Sequence, residues 1–420
     1  MIPDTIRLHY ELPNGKPLDI EIARERLLNS DLFSKARQLH DAYEKDILFI
    51  PNNLEGDHAK FLAERYSRSE MEAAEAERPS LEDDVFSIIG DQLNTELLTA
   101  SRSELVDFFH KRIEDEERAL KSPEADSTIR AIRESTAPRD NLLRLLIQFS
   151  IEFLTEGSNM ALYVGGAYGP LQSNLFKILI DEMGGGIYAN KHSHLFENMC
   201  TSLQLDPIPG AYKDHILTSN YLISNYMYNV CRNKRFFFRY LGVFFRNEAC
   251  FVNWQQQLSI ISREVFGENA DSSYFDVHAE VDQVHGRSAL TDCVLFAIDQ
   301  YGDAIIPEVL RGYFELSVYQ DLLDIEFRHQ MRVAEKCGAV EGEVGAKDAE
   351  PLLVVQADER RRVVTRSDAI VTAAPGATGT MTGVDAKQLK LSTGIPYALP
   401  AFYPVWISGH GGSVSVVAAG

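Results

Sequence analysis

FDVHAEVDQVHGR, residues 275–287, is the stretch on which the reading of this chain turns. His278, Asp282 and His285 stand in it at relative positions 0, +4 and +7. At about 3.6 residues per turn these positions fall within roughly 60° of one another, so two imidazoles and a carboxylate project from one helix face. Neutral imidazole with carboxylate suits iron, manganese or zinc, and this spacing lets one helix give several ligands to one centre. Asp276 and Glu280 point the other way and read as the solvated face. Taken alone, the motif is equally compatible with a chance polar stripe on an amphipathic helix.

One helix cannot complete a metal shell, so other core helices must supply the rest. The segment from Arg235 to Phe266 is apolar around most of its girth and reads as a helix buried in the middle of a bundle. Glu248 lies inside it, among aromatics, where a carboxylate is costly unless paired or metal-bound. Pairing with Arg246 is the structural alternative. In KILIDEMGGGIYANKHSHLFENMC, residues 177–200, Glu182 and His192 are ten residues apart. An unbroken helix would leave them about 80° out of register. Taking Gly184, Gly185 and Gly186 as a break leaves the equivalent of i, i+7, which faces one way. His194 lies about 200° from His192 and is the poorer candidate. Glu156, in FLTEGSNMA, is a further acid at the end of an apolar helix, ordinarily a helix-end charge. Glu182, His192, Glu248, His278, Asp282 and His285 together match the ligand count of a carboxylate-bridged two-metal centre in an all-α core. Oxygen and nitrogen ligation without thiolate favours non-haem iron, with manganese its main competitor.

This pattern resembles the haem-oxygenase-like di-iron oxidases and oxygenases: Glu and His from one core helix, Glu from the next, H-x3-D-x2-H from the third. More closely, it is similar to the N-oxygenase branch of that family that acts in the streptozotocin pathway on the guanidino group of a methylarginine. The offsets from Glu182 to His192, Glu248 and His278 match that branch, and Glu156 stands where it has an additional carboxylate near the metals. The resemblance covers roughly residues 140–335. It implies a haem-oxygenase-like helical bundle holding two iron ions, with O2 as co-substrate and an external electron donor, since no flavin or nicotinamide fingerprint is present. It also implies a nitrogenous substrate (amine, guanidine or amino-heterocycle) and a role in natural-product biosynthesis. The sequence departs from that branch at the C-terminus. Beyond His329 the only histidine is His410, so the three-His cupin iron site of the relatives is not expected.

The same centre also serves oxidative C–C cleavage or decarboxylation of an amino or fatty acid in other family members. Such a substrate carboxylate would want an arginine, for which Arg246 and Arg287 are the candidates. A helical metal-storage or structural protein is the reading from another class. Haem binding is disfavoured, because one proximal His would not explain clustered carboxylates beside three histidines.

At 420 residues the chain exceeds one ordinary domain. Residues 1–140 are expected to form a helical N-terminal region suited to homodimerisation, 141–335 the metal-binding bundle, and 336–420 a linker and small β-prone or partly disordered tail. IEIARERLLNSDLFSKARQLHDAYEK, residues 20–45, shows apolar residues at helical intervals. A net charge of −21 argues against nucleic acid or an anionic membrane as partner. Five dispersed cysteines without a C-x-x-C pair read as reduced thiols of a cytoplasmic protein. No signal peptide or membrane-spanning run is expected.

Overall fold

The computed structural model describes residues 2–51, 56–121 and 126–343, and four short strands between 370 and 418; it is all-α in its core. The chain opens with an exception to the helical expectation. β1 (Thr5–Glu11) and β2 (Pro17–Ala23) form an antiparallel hairpin with Leu8 opposite Ile20 and Ile6 opposite Ile22. The first residues of the 20–45 segment are therefore strand. Ile6 and Leu8, and Leu18, Ile20 and Ile22, alternate with polar residues at period 2, and all five are buried on one face. Helix takes over directly after the strand, first in one short turn, Arg24–Leu27, and then in α1 (Ser30–Tyr43), where the Asn29 side chain caps the first turn by accepting from Asp31 N.

Two acidic helices follow, α2 (Arg68–Phe86) and α3 (Arg102–Lys121), each burying one apolar stripe. The central helices are α4 (Pro138–Phe153), α5 (Pro170–Glu182), α6 (His192–Ser202), α7 (Thr218–Arg232), α8 (Phe237–Ala249), α9 (Val252–Phe266), α10 (Ser273–Ser288) and the long α11 (Ile306–Glu343). Proline at the first position of α4 and of α5 supplies a preset φ where no intrahelical N–H bond is needed.

The aromatic segment 235–266 is two helices. Cys250 and Phe251 leave the helical region at φ −118°, ψ 17° and φ −127°, ψ 0°. α8 then packs most extensively on α11, while α9 turns back to lie along α10. At the α8–α11 crossing Gly242 faces the Val309 carbonyl and Gly312 faces the Arg239 carbonyl, with no room for a methyl group at either. One hydrophobic core runs from Ile2 of the hairpin through Phe109 of α3 to Leu322 of α11, so the N-terminal elements pack into the same interior as the bundle. A second core, from Ile129 to Met331, backs α4, α6, α9 and α10. The described tail strands pair as two antiparallel hairpins, β3 (Ile370–Ala374) with β4 (Ala377–Thr380) and β5 (Val405–His410) with β6 (Ser413–Ala418). No helix among the described residues is long and apolar enough to cross a membrane.

Candidate metal centre

α10 buries the face predicted from its spacing: His278, Asp282 and His285 are each at most 5% exposed. The outward residue Asp276 pairs instead with Arg263 and accepts from Ser259 Oγ at 2.6 Å. Gly286 lets this face approach α8. A Cβ there would stand 2.8 Å from Ala249 Cα and 2.9 Å from the Glu248 carbonyl oxygen, so only glycine allows His285 to reach Glu248. The closest approach, His285 Nδ1 to Glu248 Oε2, is 3.3 Å.

The glycine run breaks the chain between α5 and α6 into two short 3-10 turns, 184–186 and 188–190. Gly184 has φ +68°, and a Cβ on it would lie 2.5 Å from the backbone N of Lys191. The resulting reversal puts Glu182, the last residue of α5, against His192, the first of α6, with Oε2 2.6 Å from Nδ1. His194 points elsewhere, bonded to Glu197 and resting on the Tyr188 ring. Arg246 makes no ion pair with Glu248 among the described residues; its Nε donates to Gln320 at 3.1 Å.

Two donor clusters result. Glu156, Glu182, His192 and His278 form one, and Glu182, Glu248 and His285 the other; within each, the candidate ligand atoms lie within 4.8 Å of one another. Glu182 belongs to both. Asp282 Oδ1 stands 3.8 Å from His285 Nδ1, completing the convergence of all seven residues. Two neighbours that the sequence did not single out aim the imidazoles. His278 Nδ1 donates to the Tyr274 carbonyl at 2.8 Å, which turns its Nε2 lone pair inward. His285 Nε2 donates to Asp181 Oδ2 at 3.2 Å, leaving Nδ1 inward. The Tyr274 hydroxyl donates to Glu156 Oε1 at 3.0 Å. No sequence signal marks Tyr274 or Asp181, since each acts through backbone geometry or a partner on another helix.

The donor set fits a cation. Glu156 Oε2 and His285 Nδ1 are buried and lack a hydrogen-bond partner among the described residues, which is costly unless a positive ion satisfies them. The titration pattern agrees. Burial, then the nearby Glu182 charge, raises Glu248. Burial and the same crowd of carboxylates push Asp282 well above its usual range. His278 and His285 rise too: burial would lower them, but Glu156, Asp282 and Glu182 outweigh it for His278, and Glu248 and Glu182 for His285. Glu182 alone falls, because its His192 hydrogen bond and three neighbouring imidazoles overcome burial. These directions mark a site whose crowded negative charge calls for compensating positive charge.

The cluster opens on a cavity of about 540 Å³. Its wall carries aromatic rings, including Phe149, Phe153 and Trp254, and, among the described residues, many acids but a single arginine, Arg246. Glu152 on this wall is pushed up to about 8 by burial and by Glu156.

An all-α bundle with a buried carboxylate–imidazole centre on its core helices is the architecture of haem-oxygenase-like iron proteins, and comparison with known sequences agrees. Residues 143–315 match a family of that group described as iron-containing redox enzymes. The chain is also 34% identical over 310 residues to nitrosourea synthase from Streptomyces achromogenes subsp. streptozoticus, an alignment covering 73% of this chain and 64% of the relative's length. Over residues 143–315 the chain is thus similar to the iron-containing redox enzymes of the haem-oxygenase-like group, and it is related to that nitrosourea synthase.

Proposed function

We propose that this protein is an O2-dependent, non-haem di-iron N-oxygenase that oxidises a nitrogen of a small metabolite (amine, guanidine or amino-heterocycle) in natural-product biosynthesis. It would work in the cytoplasm as a homodimer supplied by an external electron donor. The observation that carries the reading is the pair of buried donor clusters sharing Glu182 and opening on an acidic cavity. Glu156, Glu182, His192 and His278 would hold one iron; Glu182, Glu248, Asp282 and His285 would hold the other. When bound, the irons would supply reductive activation of O2.

The chain's own residues set the conditions for that chemistry. The Tyr274 carbonyl and Asp181 hold His278 and His285 in the tautomers a metal needs. Phe153 and Phe196, packed around Tyr274, keep water from that side of the centre. The acidic wall draws in a cationic nitrogen compound. Nitrosourea, in the relative's name, is a urea bearing an oxidised nitrogen, which favours nitrogen as the atom attacked.

Oxidative C–C cleavage or decarboxylation of an amino or fatty acid is the competing use of such a centre. A carboxylate substrate finds poor support here. Arg246 is already engaged by Gln320 and lies over the Phe251 ring, and Arg287 pairs with Glu117 away from the cavity. The test is stopped-flow absorption of anaerobically iron-loaded protein mixed with O2, alone and with arginine derivatives, amino-heterocycles or fatty acids. A transient visible band whose decay is accelerated by a nitrogen compound, giving a product heavier by oxygen, is the expected result. Acceleration by a carboxylic acid with release of CO2 or a shortened product would replace this reading with the competing one.

A further inference from the structure

This inference rests on the reading just given, that a nitrogenous substrate enters the cavity. Apart from the acids of the metal cluster, five carboxylates line the wall, and four of them already have partners. Glu116 accepts from Asn253 N at 3.0 Å, and Asp126 caps a helix by accepting from Thr128 N at 2.8 Å. Asp321 accepts from the Tyr10 hydroxyl at 2.5 Å, and Asp324 pairs with Arg328 at 2.5 Å. Glu152 is the fifth. Its Oε1 is buried and has no hydrogen-bond partner among the described residues. It sits in the last turn of α4, four residues before Glu156. The aromatic faces of Phe149 and Trp254 line the same cavity, their centroids 5.0 Å apart. An acid left without a partner in such surroundings costs free energy that a leucine or glutamine would not. The aromatic rings, with a carboxyl that an arriving cation would ionise, together suit a planar or compact cation.

We propose that Glu152 is the cation-binding residue of this cavity, pairing with the protonated guanidine, amidine or ammonium group of the substrate and presenting an adjacent nitrogen to the metal cluster. Glu152 is a positioning residue that sets specificity for positive charge. It takes no place in the metal shell and moves no proton in the oxidation.

The test compares methylguanidinium with its neutral isostere N-methylurea, by calorimetric titration of the iron-loaded, anaerobic full chain. The unaltered protein should prefer the cation by about tenfold or more, the scale of a buried charge-assisted pair. Glu152→Gln keeps size and hydrogen-bonding capacity but not charge. It should bring the two affinities within about threefold of each other, with iron content and N-methylurea affinity unchanged. Glu152→Asp should restore the preference, which a merely structural role would not do. An unchanged preference in Glu152→Gln, with iron retained, overturns the assignment and leaves the N-oxygenase reading standing. Absence of any preference in the unaltered protein overturns the assignment and counts against a cationic substrate as well. Loss of iron in Glu152→Gln would instead make Glu152 part of the metal centre, which also overturns it.

Discussion

The His285 imidazole donates through Nε2 to Asp181 while its Nδ1 looks into the donor cluster, and without a cation its pKa is pushed up to about 9. Burial acts to lower it, and the charges of Glu248 and Glu182 outweigh burial. The unfolded reference is about 6.5. The stability this proton contributes is therefore fully present below pH about 6.5 and lost as pH rises through about 9. The metal-free protein should melt at progressively lower temperature across that window, and the iron-loaded protein should not. Thermal scans of both forms at a series of pH values check this. Metal must also displace the proton, so affinity measured against a competing chelator should climb between pH 6.5 and 9. Removing a ligand tests the assignment directly. If the unaltered protein takes up two metals as proposed, Glu248→Ala or His278→Ala should leave one, by elemental analysis. Variants retaining two metals and full O2 reactivity would disprove the ligand set. Tyr274→Phe leaves the carbonyl that orients His278 but removes the hydroxyl on Glu156. Metal affinity is expected to fall by about tenfold, the lower end of what outer partners contribute.

At the scale of elements, the site depends on how closely helices can approach. α10 meets α8 at Gly286, one residue after His285, with the Glu248 carbonyl and Ala249 Cα directly opposite. Gly286→Ala would have to push the helices apart. Overpacking of this kind costs about 1–3 kcal/mol, read as a lower Tm. Because the displaced residues are the proposed ligands, metal occupancy should fall further than the stability loss alone accounts for. A variant that melts early yet binds two metals with unchanged affinity would uncouple the crossing from the site. The α5–α6 reversal is set by Gly184, where positive φ and the nearby Lys191 backbone exclude a side chain. It brings Glu182 and His192 into contact across ten residues of chain, a separation no regular helix could close.

For the molecule as a whole, the hairpin and α1–α3 are part of the interior. Ile6, Ile20, Leu39 and Phe109 are buried in the same core as Leu241 and Phe314. Tyr10 of β1 reaches Asp321 of α11, on the cavity wall. Removing residues 2–28 would uncover the apolar core surface that the hairpin covers and leave Asp321 without its phenol. The expected product aggregates or binds a hydrophobic dye, with lost near-ultraviolet dichroism. A truncated chain that unfolds cooperatively at the original temperature would show the bundle to be independent of its N-terminal elements.

Much of the centre was legible in the chain because helical spacing is a local rule. His278, Asp282 and His285 share a face by arithmetic alone, and a charged Glu248 amid aromatics is conspicuous at any fold. The hairpin at 5–23 was missed because alternation at period 2 runs without interruption into the helical pattern of 24–45. The break at Cys250 and Phe251 was missed because both helices flanking it are apolar, so hydrophobicity carries no mark of the turn. Which donors meet, that Glu182 serves both clusters, that Tyr274 and Asp181 aim the imidazoles, and that Glu152 Oε1 has no partner among the described residues were decided only by tertiary structure. Periodicity determines which side of one helix a residue occupies; the distance between side chains on different helices is set by close packing and by the glycines that permit it.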